Sequence, residues 1–160
     1  MEILVSYAVI YMDAKSGKFL IVHPTHETYW SLPKGGMEEA DGGDGAKAAA
    51  RELFEETAIK TAPAALKYGG RHDYYRAGRN GKTKNKDLCI YLYETDEAMK
   101  TSEMTCASMV HSAPGAPFPE NDDFKYIEYG EIGKYFHADG ERALKAALRE
   151  LGIGNGQRIC

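Results

Sequence analysis

Little in this chain suits a secreted, membrane-spanning or nucleic-acid-coating protein. Cysteine is scarce: Cys89, Cys106 and Cys160 are the only three in 160 residues, with no CxxC pair and no metal-ligand spacing. An odd, scattered set does not make a disulfide framework and fits a reducing compartment, so the chain is expected in the cytoplasm. No apolar run approaches the ~20 residues that a membrane helix needs. The opening "MEILVSYAVI" has no basic stretch of the kind that begins a secretory leader. Positive charge is also in the minority, 20 Lys and Arg against 24 Asp and Glu, a net −4. That balance gives no support for non-specific binding to DNA or acidic membranes. If the chain handles phosphate, it must gather positive charge locally or borrow it from metal ions.

What is present organises into one domain, residues 1–152, followed by a tail, 153–160, expected to fray. "ILVSYAVIYM" is rich in β-branched and aromatic residues and reads as a buried strand; Ser16–Gly17 turns the chain into a second, "KFLIVH". Asp44 is a plausible N-cap for a helix from Gly45 to about Ile59. "LKYGGRHDYYRA" and "DLCIYLYET" read as two more strands joined by a segment with an Asn-Gly turn signal. In the second of them Leu88, Ile90 and Leu92 share one face, and Cys89, Tyr91 and Tyr93 the other. The proline-rich "HSAPGAPFPENDD" is expected as loop, "FKYIEYG" as a last strand, and "DGERALKAALRELG" as an amphipathic helix stopped by Gly152. Mixed strands with two helices imply an α/β protein, a sheet with helices on its faces.

The chemistry gathers in "LPKGGMEEADGGDGAKAAARELFEETAI", Leu32 to Ile59. On a helical wheel Ala46, Ala49, Ala50, Leu53 and Thr57 form a narrow stripe that should pack on the sheet. Glu52, Glu55 and Glu56 share another arc, at the end of the helix where the dipole is negative and acids are misplaced. Like charges at this spacing cost roughly 0.2–0.5 kcal/mol per pair. Only Arg51 and Lys60 lie close in sequence to offset them, and on the wheel neither shares their arc. An ordinary glutamate pair is a solvated face; three at this end, after a glycine-rich loop able to approach an ion closely, point to a divalent cation and a phosphate.

These same residues resemble the signature of the Nudix hydrolases, G-x5-E-x7-R-E-U-x-E-E-x-G-U, where U is a bulky aliphatic residue. "RELFEETAI", Arg51 to Ile59, matches its second half, with Ala58 where the family usually has glycine, and "WSLPKGG" resembles the approach to it. Started at Gly35, the acidic position falls on Asp41 and the loop before Arg51 is two residues longer than usual; started at Gly36, it falls on Gly42. The first register keeps a carboxylate, Asp41 then standing in for the usual glutamate or serving as a loop or capping residue. The resemblance implies a Nudix-like α/β/α sandwich around a mixed sheet, and Mg²⁺-dependent cleavage of a diphosphate linkage, with Mn²⁺ as the substitute metal. It assigns the metal to Glu52, Glu56 and Glu55 with a backbone carbonyl near Lys34–Gly35. It makes Glu55 or Glu52 catalytic, with Glu103, Glu120 or Asp122 as other sources of a base, and gives Arg51 the orienting of the glutamates.

For the substrate, Arg76, Arg79, Lys82, Lys84 and Lys86 are either a cationic flap that gathers polyphosphate, with Lys34, Arg71 and His72 nearer the metal, or a solvated hairpin tip. Tyr29, Trp30, Tyr74 and Tyr75 are candidates to stack on a base, or fillers. "LPKGG" and the basic segment resemble dinucleoside polyphosphate and diphosphoinositol polyphosphate hydrolases. Nucleoside triphosphates, nucleotide sugars and capped RNA remain open, as does a monomer or a homodimer. Two other readings stand beside the enzyme: a catalytically silent Nudix-fold module that binds nucleotides, and a structural acidic helix that holds no metal.

Overall fold

β1 (Ile3–Asp13) is apolar on both faces, and that dictates the architecture. Ala8, Ile10 and Met12 enter one core and Val9 and Tyr11 the other, all 5% exposed or less. Such a strand must be covered on both sides. The computed structural model describes residues 2–75, 85–111, 114–154 and, by backbone alone, 157–158. In it β1 runs parallel to β5 (Asn85–Thr95) along its whole length, from Ile3↔Asn85 to Asp13↔Thr95. Its other edge is shared by two antiparallel partners: β2 (Phe19–Pro24) at Met12, and β3 (Lys34–Gly36) at residues 6–8. With β4 (Lys67–Tyr75) beyond β5, and β8 (Asn121–Ile127) beyond β2, the mixed sheet has the order β4-β5-β1-β2-β8.

Two helices cover the faces. α1 (Gly45–Thr57) lays Ala49 and Leu53 against Val9, Leu20 and Met104. α3 (Ala138–Glu150) lays Ala143, Leu144, Ala147 and Leu148 against Ile10, Leu88 and Ile90. Full burial of one such leucine contributes about 1.5–3 kcal/mol. The alternation expected of β5 is therefore observed, with Leu88, Ile90 and Leu92 toward α3 and Tyr91 and Tyr93 toward α1. The result is an α/β/α sandwich.

α1 starts as expected, the Asp44 carboxylate accepting from the backbone N–H groups of Ala46 and Lys47 at 2.9 and 3.4 Å. It stops two residues earlier than Ile59. Ala58 turns into the left-handed region at φ 73°, its N–H still donating to the Phe54 carbonyl, and Ile59 is free to enter the core. Other departures are short elements with weak local signals. β3 lies in the glycine-rich stretch, the segment around Pro119 pairs as β6 (Met109–Val110) with β7 (Phe118–Pro119), and α2 (Ile132–Tyr135) precedes α3. The tail expected to fray does not leave at 153: β9 (Ile153–Gly154) pairs with β10 (Gln157–Arg158), and Ile153 is buried in the α3-side core.

Candidate active site

β3 and α1 build one side of the site. Pairing of β3 with β1 brings Gly35 against the Glu52 carboxyl; a Cβ at Gly35 would collide with Glu52 Cδ and both its oxygens. Glycine there lets the Glu52 carboxyl lie against the backbone; a side chain would push that carboxyl aside. Glu52 and Glu56, one turn apart, are 7% and 2% exposed, whereas Glu55 between them is half-buried. One oxygen each from Glu38, Glu52 and Glu55 lie within 4.8 Å of one another.

Arg51 offsets this cluster after all. Its guanidinium reaches Glu52 at 2.8 Å, Glu55 and Glu38 at 3.1 Å, Asp41 at 3.0 Å and the Gly36 carbonyl at 2.7 Å. Asp41 is 4% exposed and also accepts from the Glu38 N–H at 2.9 Å, so it closes the loop onto Arg51. The Arg51 hydrogen bonds hold the Asp41 carboxyl below the usual carboxylate range, and the same bonds push Arg51 upward. Asp41 thus acts as a strut for the loop.

Glu56 has no such partner. Its Oε1 accepts from Asn121 Nδ2 at 2.8 Å and, at 3.4 Å, from the Lys34 N–H. Burial, and then the Glu120 carboxylate, push its pKa well up; burial also raises Glu52 against the pull of Arg51. Asn121, itself 4% exposed, begins β8, and Glu120 precedes it, held by the Ser108 hydroxyl at 2.6 Å. The carbonyls at the end of α1 are satisfied by the segment that carries Ser108: Ala107 and Ser108 donate to Glu55 O, and Thr105 to Thr57 O. A cavity of about 290 Å³ opens beside Glu56, with Lys34, Tyr29, Glu120 and Asn121 in its walls.

The site residues read from sequence separate here. Lys34, Gly35, Asp41, Arg51, Glu52, Glu55 and Glu56 come together. Arg71 and His72 do not join them: Arg71 pairs with Asp87 at 2.7 Å, and His72 lies against the Gly69 carbonyl and Glu150. Lys82 and Lys84, with Arg76 and Arg79, lie outside the described residues. Of the three later acids only Glu120 borders the cavity; Asp122 bonds His23, and Glu103 is exposed in a short turn. Asn121 and Glu38 were missed. Asn121 reaches Glu56 from 65 residues away, a separation no local pattern encodes, whereas Glu38 was available as one more acid of the loop.

The donors fit a hard divalent cation. They are carboxylate and backbone oxygens, two of the carboxylates are buried, one guanidinium is shared by Glu52 with three other acids while Glu56 touches none of the described cations, and Gly35 leaves its backbone open to them.

The sequence matches the profile of the NUDIX domain over residues 3–136. The chain belongs to the Nudix family. Its reaction class is hydrolysis at phosphoric anhydrides, for which the family generally needs a divalent metal ion. No curated protein sequence matches it significantly. Among solved structures it is similar to the NUDIX domain of Shewanella oneidensis NrtR complexed with ADP ribose, at 14% identity, with 94% of this chain and 90% of that one covered and a TM-score of 0.67. It is also similar to a bifunctional NMN adenylyltransferase/ADP ribose pyrophosphatase from Francisella tularensis, complexed with AMP and a Mn ion. There identity is 20%, coverage 94% of this chain but 42% of that one, and the TM-score 0.65. A Caenorhabditis elegans (C. elegans) Ap4A hydrolase is 18% identical, with 92% and 97% covered and a TM-score of 0.58. At these identities the likeness speaks to the fold alone. Among the described residues no helix is long and apolar enough to cross a membrane.

Proposed function

We propose that the chain hydrolyses the diphosphate linkage of a nucleoside diphosphate derivative or related polyphosphate in the cytoplasm, with Mg²⁺ as its metal and Mn²⁺ as a substitute. One observation carries this reading: Glu52 and Glu56 are buried one turn apart with more negative charge than the neighbouring groups balance. Glu52, Glu56 and Glu55 with the Gly35 backbone would hold the ion. When bound, it neutralises phosphoryl oxygens and lowers the pKa of bound water.

The protein's own groups do the rest. Asn121 keeps one Glu56 oxygen engaged and so fixes the direction of the other. Lys34 supplies a cation in the wall of the cavity that Glu56 also lines, where a diphosphate would lie. Glu120, held by Ser108, is the group we assign to accept the proton of the attacking water, a contribution of typically about 10²–10⁴-fold; Glu55 is the alternative. Arg51 and Asp41 act on the glutamates' positions.

Dinucleoside and diphosphoinositol polyphosphates lead the candidates, with capped RNA behind them. A product-resolved screen of nucleotides, dinucleoside polyphosphates, inositol pyrophosphates and capped RNA with Mg²⁺ in ¹⁸O-labelled water tests the reading. Metal-dependent cleavage of at least one, lost in Glu52→Gln and Glu56→Gln, is expected; cleavage undiminished in both variants refutes the site. The silent-module reading leans on Ala58 and on the lengthened loop, which Asp41 and Arg51 tie back onto α1. Ala58 adopts the left-handed conformation its position demands and leaves every carboxylate in place, so it changes backbone energy and not the donor set.

A further inference from the structure

A second cavity, of about 330 Å³, adjoins the one beside Glu56: Tyr29 and Lys34 stand in the walls of both. Its volume alone falls within the about 300–1,000 Å³ typical of small-molecule sites. Its remaining walls come from the end of β4, the start of β5 and the start of α3, through Tyr74, Tyr75, Lys86 and His137. Half of the described wall residues carry flat rings. Tyr29 meets His137 edge-on with centroids 4.9 Å apart, Tyr74 lies 5.6 Å from the same imidazole, and the Lys34 ammonium sits 5.5 Å from the Tyr74 ring centre.

Hydrogen bonding fixes what the polar atoms here can offer. His137 caps α3 by accepting the Gly140 N–H on Nδ1 at 3.2 Å. A nitrogen that accepts carries no proton, so the ring's hydrogen is on Nε2, which donates to the Tyr74 hydroxyl oxygen at 3.1 Å. Tyr74 must then send its own hydrogen elsewhere, and none of the described residues is its acceptor. Burial pushes the Tyr74 pKa up to about 12, so that hydrogen stays at neutral pH.

We propose that this cavity is the pocket for the ring-bearing end of the substrate: a nucleobase, stacked among the tyrosines, with Tyr74 donating to one of its ring nitrogens or carbonyls. Its phosphates lie past Lys34, toward Glu56. The inference rests on the anhydride-hydrolase reading and, within it, selects nucleotides over diphosphoinositol polyphosphates. A ring phosphorylated at nearly every carbon needs cations all round it, and the described walls offer two lysines beside Asp139.

The test is calorimetric titration of the wild-type protein, free of divalent metal so that nothing turns over, with AMP, ribose 5-phosphate and inositol hexakisphosphate. AMP is expected to bind at least about tenfold more tightly than ribose 5-phosphate, the scale of one base–aromatic stack. Tyr29→Ala should erase that preference. Tyr74→Phe, which keeps the ring, should weaken AMP binding about three- to tenfold and leave ribose 5-phosphate unchanged. Equal binding of AMP and ribose 5-phosphate, equal loss of both in Tyr74→Phe, no measurable binding of AMP, or tightest binding of inositol hexakisphosphate each overturns the pocket. Metal-dependent hydrolysis without a preference for AMP would remove the pocket and keep the reaction. The preference without hydrolysis of any diphosphate would do the reverse.

Discussion

Arg51 and Glu56 stand little more than one turn apart on α1, and their surroundings are opposites. Around Arg51 one guanidinium answers Glu38, Asp41, Glu52, Glu55 and the Gly36 carbonyl. Around Glu56 a more deeply buried carboxylate is met by the neutral amide of Asn121 and a backbone N–H, with Glu120 nearby. The first region binds the glycine-rich loop to the helix through one cation that each of its four carboxylates touches. The second holds a carboxylate that none of the described cations touches, the Lys34 ammonium acting on it from further off. Buried charge without a counter-charge is costly, so the first region should contribute stability and the second should expend it. Mutations in the two should therefore move stability in opposite directions.

Glu56→Gln is the largest test of that contrast. Losing a metal-binding carboxylate should lower activity by more than the about 10–100-fold that loss of an outer-shell partner costs. The same change removes a buried charge that none of the described cations touches, so the thermal midpoint of the metal-free variant should rise, by about 2–4 °C per kcal/mol in a chain of this size. Differential scanning calorimetry in EDTA beside a turnover assay reads both; a lower midpoint would break the contrast. Arg51→Ala should do the reverse, destabilising by about 3–5 kcal/mol as it strands Asp41 and Glu52. Chemical denaturation measures it, and a neutral result would show that the network is ornamental. Asn121→Leu comes next. It preserves bulk and removes the donor, so Mn²⁺ affinity followed by electron paramagnetic resonance should fall about 10–100-fold, and unchanged affinity would strip Asn121 of its positioning role.

The two regions were not equally legible. The acids of α1 stand out because Glu52, Glu55 and Glu56 are close in sequence, and the buried strands because β1 and β5 carry β-branched and aromatic runs. A helical wheel treats side chains as radial points, so it missed that Arg51, long and flexible, reaches across to Glu52 and Glu55. It also sees no tertiary partners: the negative end of α1 is satisfied by N–H groups from Thr105, Ala107 and Ser108, so acids there are less misplaced than the dipole suggests. β3 escaped because Lys34–Gly36 has no strand propensity; pairing with β1 imposes it. Arg71 and His72 were legible as candidates to meet phosphate, but their partners come from β5 and α3, and only the folded chain shows them committed away from the cavities.

Acid titration sharpens the comparison at smaller scale. Arg51 lowers the folded-state pKa of Asp41 below its unfolded value. A group so shifted stabilises fully above the unfolded carboxylate value, near about 4, and loses that stabilisation as pH falls through the lowered folded value. Asp41→Asn should accordingly be less stable than wild type at neutral pH, by about 1.5–3 kcal/mol for a lost charged hydrogen bond, and the gap should close on acidification below the unfolded value. Urea denaturation across that range checks it. A gap that persists unchanged in acid would mean that Asp41 acts through shape and not through its charge.

The smallest effect belongs to the residue that most visibly departs from the family pattern. Ala58 holds φ 73° at the end of α1, where a Cβ crowds the backbone and glycine does not. Ala58→Gly should relieve about 1 kcal/mol of that strain, part of it returned because glycine has more freedom to lose on folding. Ala58 lies in neither region: its N–H bonds Phe54 O within the helix, and its side chain takes no part in the Arg51 network or the contacts of Glu56. Stability should rise slightly while kcat and KM stay put, measured on whichever substrate the screen returns. A gain of activity on restoring glycine would instead mean that strain at the end of α1 reaches the carboxylates one turn back, and that the two regions are coupled through the helix that carries both.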